Sequence, residues 1–174
     1  MTTVVGRADA ASSLETRLAE HVELLRKDAS VVRFFETHRW LLHDPAVEVK
    51  ARATLSRAKR RLAATRVKAE RARRALAARK AAARLASLRA APPRKAICAV
   101  FGPYCGEALR VARCESRLST TAQNGQYLGL FQMGSSERAL FGHGGTAYEQ
   151  ARAAHHYFIR SGRDWSPWSC KPWS

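Results

Sequence analysis

The chain has 174 residues, a mass of 19.3 kDa and a net charge of +17. That length excludes a large multidomain enzyme and fits one domain, or a small domain with an appendage, since domains run to roughly 100–200 residues. With 46% hydrophobic and 26% charged residues the composition is globular, and the longest charge-free stretch, 118–136, is too rich in Ser, Thr, Gln, Asn and Gly to span a membrane. The opening MTTVVGRADAASS also lacks the apolar run of a secretory signal.

The charge is unevenly placed. Residues 1–50 carry seven Lys/Arg against eight Asp/Glu, 51–95 carry sixteen against one, and 96–174 carry eight against five, giving −1, +15 and +3. All four cysteines lie in the last stretch. Two regions of different chemistry are therefore expected: a helical segment at 1–91 and a domain at 96–174, joined by a linker at 92–95.

Within 1–91 the punctuation is helical throughout. Ser12 with Glu15 forms a capping-box pattern, followed by Leu14, Leu18, Val22 and Leu25 at helical spacing. Ser30 opens a second apolar face of Val31, Phe34, Phe35, His38, Leu41 and Leu42. Asp44-Pro45 is a third start signal, because Asp accepts exposed N–H groups and Pro fits the first helical position. No Gly or Pro follows until Pro92-Pro93, so one helix of about 70 Å is expected. Leu55, Leu62, Ala69, Leu76 and Ala83 repeat every seven residues, with Ala58, Thr65, Ala72 and Ala86 between them. This seam is thin and alanine-rich, suited to packing in a helical hairpin or stalk, and too small to be a core by itself.

The basic stretch has a plain reading, a solvated helix face, and a sharper one, an anchor for a polyanion. Anionic wall polymers or a membrane surface fit the second. Nucleic acid fits less well, because residues 51–95 contain no aromatic side chain to stack on bases.

Chemistry is expected in 96–174. Cys98, Cys105, Cys114 and Cys170 read as two disulfides, since there is no Cys-x-x-Cys pair and no His at zinc-ligand spacing. Three pairings are open; one closes Cys98 and Cys105 around Gly102-Pro103 and leaves Cys114 to reach Cys170. Disulfides imply an oxidising compartment. On a helix over 106–118, Val111, Glu115 and Leu118 share a face, so Glu115 projects from or beside the buried side. Desolvation raises a carboxyl pKa, which suits a group that donates a proton to a leaving oxygen. Its ordinary alternative is a surface ion pair with Arg110, Arg113 or Arg117.

Around Glu115 the sequence continues Cys114-Glu115-Ser116, Asn124-Gly125-Gln126-Tyr127-Leu128-Gly129-Leu130-Phe131-Gln132, Ala147-Tyr148-Glu149-Gln150-Ala151 and Trp165-Ser166-Pro167-Trp168-Ser169-Cys170. In that order these motifs resemble the lysozyme-like peptidoglycan-cleaving families: the soluble lytic transglycosylases and the actinobacterial resuscitation-promoting factors. The resemblance covers roughly 96–170. It implies a small lysozyme-like α(+β) domain with Glu115 as catalytic acid, Ser116 following it, Gln132 closing the Gly-Leu-Phe-Gln turn, Tyr148 in the cleft and Cys114 paired with Cys170. The pair Cys98/Cys105 belongs to neither family pattern.

The residues themselves support the same site. Gly125, Gly129 and Gly134 punctuate a polar loop suited to a short hairpin. Gln123, Asn124, Gln126 and Gln132 offer amides to N-acetyl and hydroxyl groups, while Tyr127, Tyr148, Trp165 and Trp168 offer flat faces to sugar rings, with at least one Trp expected in the core. Thr146 and Glu149 form a capping box for a helix with Ala147, Ala151, Ala154 and Phe158 inward, stopped at Gly162. The six histidines read as structural or surface residues, and no metal or cofactor is implied. Glu107, Glu137, Glu149 and Asp164 read as capping or helix-end acids, leaving Glu115 without a partner carboxylate. A single acid suits lytic transglycosylation, in which the substrate's own C6 hydroxyl attacks C1 and yields a 1,6-anhydro sugar. The expectation is a mainly α peptidoglycan lytic transglycosylase, extracellular or in the cell wall. Its alternatives are a hydrolytic muramidase and a helical protein that binds polyanion or wall without cutting it.

Overall fold

The computed structural model describes residues 5–173, with side chains from residue 13 onward. The chain is mainly helical and divides into two compact units, one up to Ala82 and one from Ala83. Among the described residues no helix is long and apolar enough to cross a membrane.

The first unit is built from two long helices. Helix α1 runs Val5–Thr37 and α2 runs Glu48–Arg89, a 42-residue element about 63 Å long at 1.5 Å per residue. Between them lies a 3-10 turn, Arg39–Leu42. The start expected at Asp44-Pro45 becomes a turn ahead of α2, which begins at Glu48: the Asp44 carboxylate accepts the Ala46 N–H at 2.9 Å, and its carbonyl accepts the Glu48 N–H at 2.8 Å. The starts expected at Ser12 and Ser30 are not realised, since α1 passes through both. The Ser12 side chain lies outside the described residues; the Ser30 hydroxyl donates backward to Lys27 O at 2.7 Å, a bond that a mid-helix serine makes without ending the helix.

Ion pairs fix the direction of the two helices. Arg61 meets the buried Asp28 at 2.7 Å and Lys80 meets Glu15 at 3.4 Å, so α2 returns antiparallel along α1 as a hairpin. On α2 the covered positions Ala58, Thr65 and Ala69 belong to the heptad seam, with Leu55, Leu62, Ala72 and Leu76 half-covered and Ala51 covered one step before it; Ala83 and Ala86, expected in the seam, are exposed. On α1 the corresponding line is Leu14, Leu18, His21, Leu25, Asp28, Val32 and Phe35. Alternating steps of three and four residues keep these side chains on one stripe of each helix, the larger ones mostly on α1 and the alanines on α2.

The second unit contains the end of α2, then α3 (Pro93–Phe101), α4 (Cys105–Ser116), a two-strand hairpin of β1 (Gln123–Asn124) and β2 (Tyr127–Leu128), α5 (Ser135–Phe141) and α6 (Ala147–Arg160). Residues 92–95, expected as a linker, are helical from Pro93. Pro92 is the extended cap and Pro93 occupies the first helical position, where its missing N–H is no loss. Ala91, Ala96 and Ile97 are already core residues. Helix α3 packs on α4 and α6, and α5 packs on α6. The core between them is aromatic: Phe101 stacks on Phe131 and Trp165, and Phe158 lies against Trp165 with ring centroids 4.5 Å apart. The Thr146–Glu149 capping box is formed, and Glu149 also meets Arg89 at 3.1 Å, which ties the last turn of α2 to the start of α6.

Two disulfides staple this unit. Cys98–Cys105 spans the turn from α3 to α4 with Cα atoms 4.5 Å apart, and Cys114–Cys170 joins the end of α4 to the C-terminal loop across 56 residues. Replacing Cys114 and Cys170 together with Ser should cost about 2–5 kcal/mol of stability, measured by denaturant unfolding; a loss below 1 kcal/mol would show that the loop is held without the link.

Acid should weaken the unit in two stages. Partial burial, helped by Arg138, holds the His143 imidazole below its ordinary pKa; partial burial, helped by His156 and Arg163, does the same for His155. The unfolded chain therefore takes up these protons first. Their contribution is complete above about pH 6.5 and is lost as pH falls from there toward the folded values. Glu149 is lowered chiefly by the Thr146 hydroxyl, so its contribution persists above the ordinary carboxylate range and is lost as pH falls further. The melting temperature should thus drop first between about pH 7 and 5, and replacing both histidines with Gln should flatten that first stage. A wild-type melting temperature that stays level through it would contradict the assignment.

Candidate functional site

Glu115 stands on the last turn of α4, where the helix ends by a left-handed residue. Arg117 has φ +54 and donates its N–H to Arg113 O at 2.9 Å; Leu118, at φ +66, turns the chain away. Beside it, Cys114 carries the disulfide to Cys170, and the Cys170 N–H donates to Glu115 Oε1 at 2.9 Å. The covalent link and the hydrogen bond act at adjacent residues, so the C-terminal loop is both tied down and used to orient the carboxyl group.

That loop has its own internal support. The Lys171 ammonium donates to Trp165 O and Ser166 O, each at 3.0 Å, and to Trp168 O. Trp165 Nε1 donates to Glu107 Oε2 at 2.7 Å and Trp168 Nε1 to Phe131 O at 3.0 Å. Arg110 Nε donates to Pro172 O at 2.5 Å. A segment without regular secondary structure is thereby fixed against α4 from several directions.

The facing wall is the hairpin and the turn after it. Gly125 takes φ +56 at the first of the two central turn residues, the conformation a tight hairpin requires there. Gly129 donates its N–H to Ala122 O at 2.8 Å, and Gln132 Nε2 donates to Ala122 O and Gly129 O, both at 3.0 Å. Buried Gln150 accepts the Leu130 N–H at its Oε1 and donates from Nε2 to Thr120 O, both at 2.9 Å. The Ser116 hydroxyl lies 3.0 Å from Ala112 O and 2.9 Å from Leu130 O, coupling the same segment to α4. Arg138 of α5 donates to Gln126 O and Met133 O, closing the far side.

These walls enclose an open cleft of about 640 Å³, lined by Glu115, Ser116, Arg117, Gln123, Asn124, Gln126, Tyr127, Gln132, Glu137, Tyr157 and Trp168 among others. Of the residues expected in a substrate site, Glu115, Ser116, Tyr127 and Gln132 are brought together here. Ser116 contributes more to the wall than to a ligand, since it is buried and its hydroxyl is engaged within the protein. Tyr148 and Trp165 do not line the cleft. Trp165 is 2% exposed and belongs to the core; Tyr148 is half-buried against that core, with the Arg152 guanidinium 5.9 Å from its ring centroid.

Two lining residues carry chemistry that the pattern left aside. Tyr157 stacks on Phe141 and lies against Trp168; its signal was its place beside the inward stripe of α6, one residue before Phe158. Glu137, read as a helix-end acid, does lie in the first turn of α5, yet it also lines the cleft with Glu115. Among the described residues no group of three His, Cys, Asp or Glu is placed to share a metal ion. Compared with known proteins, the chain matches no family model, no curated protein and no solved structure.

Gly129 is the position where the wall tolerates least. Its φ is +80, and a Cβ there would lie 2.5 Å from Gln150 Oε1, the oxygen that holds the Leu130 N–H. Gly129→Ala should therefore destabilise the protein by about 2 kcal/mol or more and loosen the cleft wall. A variant of wild-type stability would show that Gln150 is free to move.

Proposed function

We propose that the cleft binds a peptidoglycan glycan strand and that Glu115 cuts it, as in the lysozyme-like families whose motifs these residues resemble. The observation that carries this reading is the juxtaposition in one open cleft of an oriented carboxyl group with amide side chains and aromatic faces. Gln123, Asn124, Gln126 and Gln132 suit N-acetyl and hydroxyl groups, and Tyr127 suits a sugar ring. Glu115 Oε1 is occupied by the Cys170 N–H, which leaves Oε2 as the oxygen for proton transfer.

In the transglycosylase reading, Glu115 gives its proton to the oxygen linking N-acetylmuramic acid to N-acetylglucosamine, and the C1–O bond breaks. The resulting carboxylate takes the proton of the muramoyl C6 hydroxyl as that oxygen bonds to C1. The acid is restored, the product is the 1,6-anhydro sugar, and no water is consumed. Glu137 in the same cleft favours a second reading, in which that carboxylate takes a proton from water and the water attacks C1, giving a hydrolytic muramidase. Both readings place the domain outside the cytoplasm, supported by two disulfides. The basic helix α2 then serves as an electrostatic tether to anionic wall polymers or a membrane surface.

Glu115→Gln should lower cleavage of purified peptidoglycan by at least 10²–10⁴-fold while glycan binding persists. Residual activity within tenfold of wild type would remove Glu115 from the chemistry, and a wild-type chain that binds glycan without cutting it would leave a binding protein. Mass spectrometry of the fragments separates the two mechanisms, because the anhydro product is lighter by one water and Glu137→Gln should spare only transglycosylation.

A further inference from the structure

The helical hairpin of the first unit leaves apolar side chains uncovered at one end. Helix α1 stops at Thr37 and α2 starts at Glu48, so the residues between them and the adjoining turns form the connecting end of the hairpin. Phe34, Trp40, Val47 and Val49 are all exposed there, Trp40 by 61% and Val49 by 84%. Single exposed apolar residues are ordinary, but a Trp, a Phe and two Val within sixteen residues at one tip form a patch of the kind that marks an interaction surface.

The charge along α2 beyond this tip is almost all of one sign. From Lys50 to Lys80, α2 carries thirteen Lys/Arg and the single acid Glu70, which is paired with Arg74 at 2.9 Å. Of the acids at the tip, Asp44 accepts the Ala46 N–H and Glu48 meets Arg52 at 2.7 Å, while Glu36 is exposed.

We propose that this end of the hairpin docks on an anionic phospholipid surface, with Trp40, Phe34 and Val49 entering the boundary between headgroups and acyl chains and the basic side chains of α2 lying over the phosphates. The proposal deepens the tether reading of α2 and commits it to lipid. A wall polymer or a nucleic acid would answer the charge but would leave the apolar tip in water. A bilayer answers both, since an amphipathic Trp belongs at its interface and Lys/Arg are drawn to its anionic headgroups.

The test uses the full-length chain and vesicles of phosphatidylcholine with or without about 30% phosphatidylglycerol, read by co-sedimentation, with soluble polyphosphate as the competing polyanion. Binding is measured without turnover, so the result does not depend on whether Glu115 cuts glycan. Expected are binding to the anionic vesicles, little binding to the neutral ones, and about tenfold weaker vesicle binding for Trp40→Ala with polyphosphate binding unchanged. Val49→Ser should act in the same direction, and helicity by circular dichroism guards against a folding defect. Vesicle binding unaffected by both substitutions, or weakened no more than polyphosphate binding, would overturn the proposal in favour of a charge-only tether. A concentration-dependent dimer that Trp40→Ala dissociates, with no vesicle binding, would overturn it in favour of a second copy of the chain.

Discussion

The hydrogen bond from the Cys170 N–H to Glu115 Oε1 is the contact on which the arrangement of the second unit turns. A lone carboxylate at the end of a short helix would sample several rotamers, and an oriented one needs a donor that does not move. The donor is a backbone amide in a loop with no regular structure, so its position must be imposed. The adjacent Cys114–Cys170 bond, the two indole hydrogen bonds and the Lys171 ammonium among three carbonyls together impose it. Burial contributes as well, because Trp165 and Trp168 fill the aromatic core while anchoring the loop. Stability and site geometry are served by the same residues.

The first unit solves a different problem. A helix with so many like charges gains little by folding alone, and its seam offers mostly methyl groups for burial. Alternating spacing lets a second helix lie close along that seam, and Asp28 supplies a buried carboxylate whose partner Arg61 reaches it from the solvent side. The cost of a buried charge is met by that pairing, and it gives the two helices a preferred register. All-apolar small residues would pack equally well after sliding by one heptad.

Much of this was legible in the residues. The Thr146–Glu149 box, the Asp44 turn ahead of α2, the heptad seam as far as Leu76, the use of four cysteines in two disulfides and a short hairpin at Gly125 were open to a reading of the residues, and the structure contains each of them. Four of the six expected site residues meet in the cleft because they are close in sequence or carried by the hairpin and α4. The misreadings share a cause. Ser12 and Ser30 carry start signals, but tertiary packing along α1 outweighs a local preference worth about 1 kcal/mol. Trp165 has a flat face that suits a sugar, yet its size and its bond to Glu107 place it in the core. Tyr157 sits beside the inward stripe of α6, which marks it as partly covered but not as a cleft residue, and nothing in the residues around Glu137 distinguishes it from an ordinary first-turn acid. Lys171 gave no sign at all of its three carbonyl partners.

The bonds that complete the site span long stretches of chain: Glu115 to Cys170 across 55 residues, Glu107 to Trp165 across 58 and Arg110 to Pro172 across 62. A ribosome makes the chain from one end, so α4 emerges long before the loop that orients its carboxyl group. The helices can form and begin to pack while Glu115 still swings freely in water. Order at this position waits until residues 165–172 have emerged and can close over α4. Contacts of such sequence separation also slow folding relative to the hydrogen bonds within α1 and α2, which form between residues four apart. A nascent chain therefore carries its charged helix well before it carries an oriented acid.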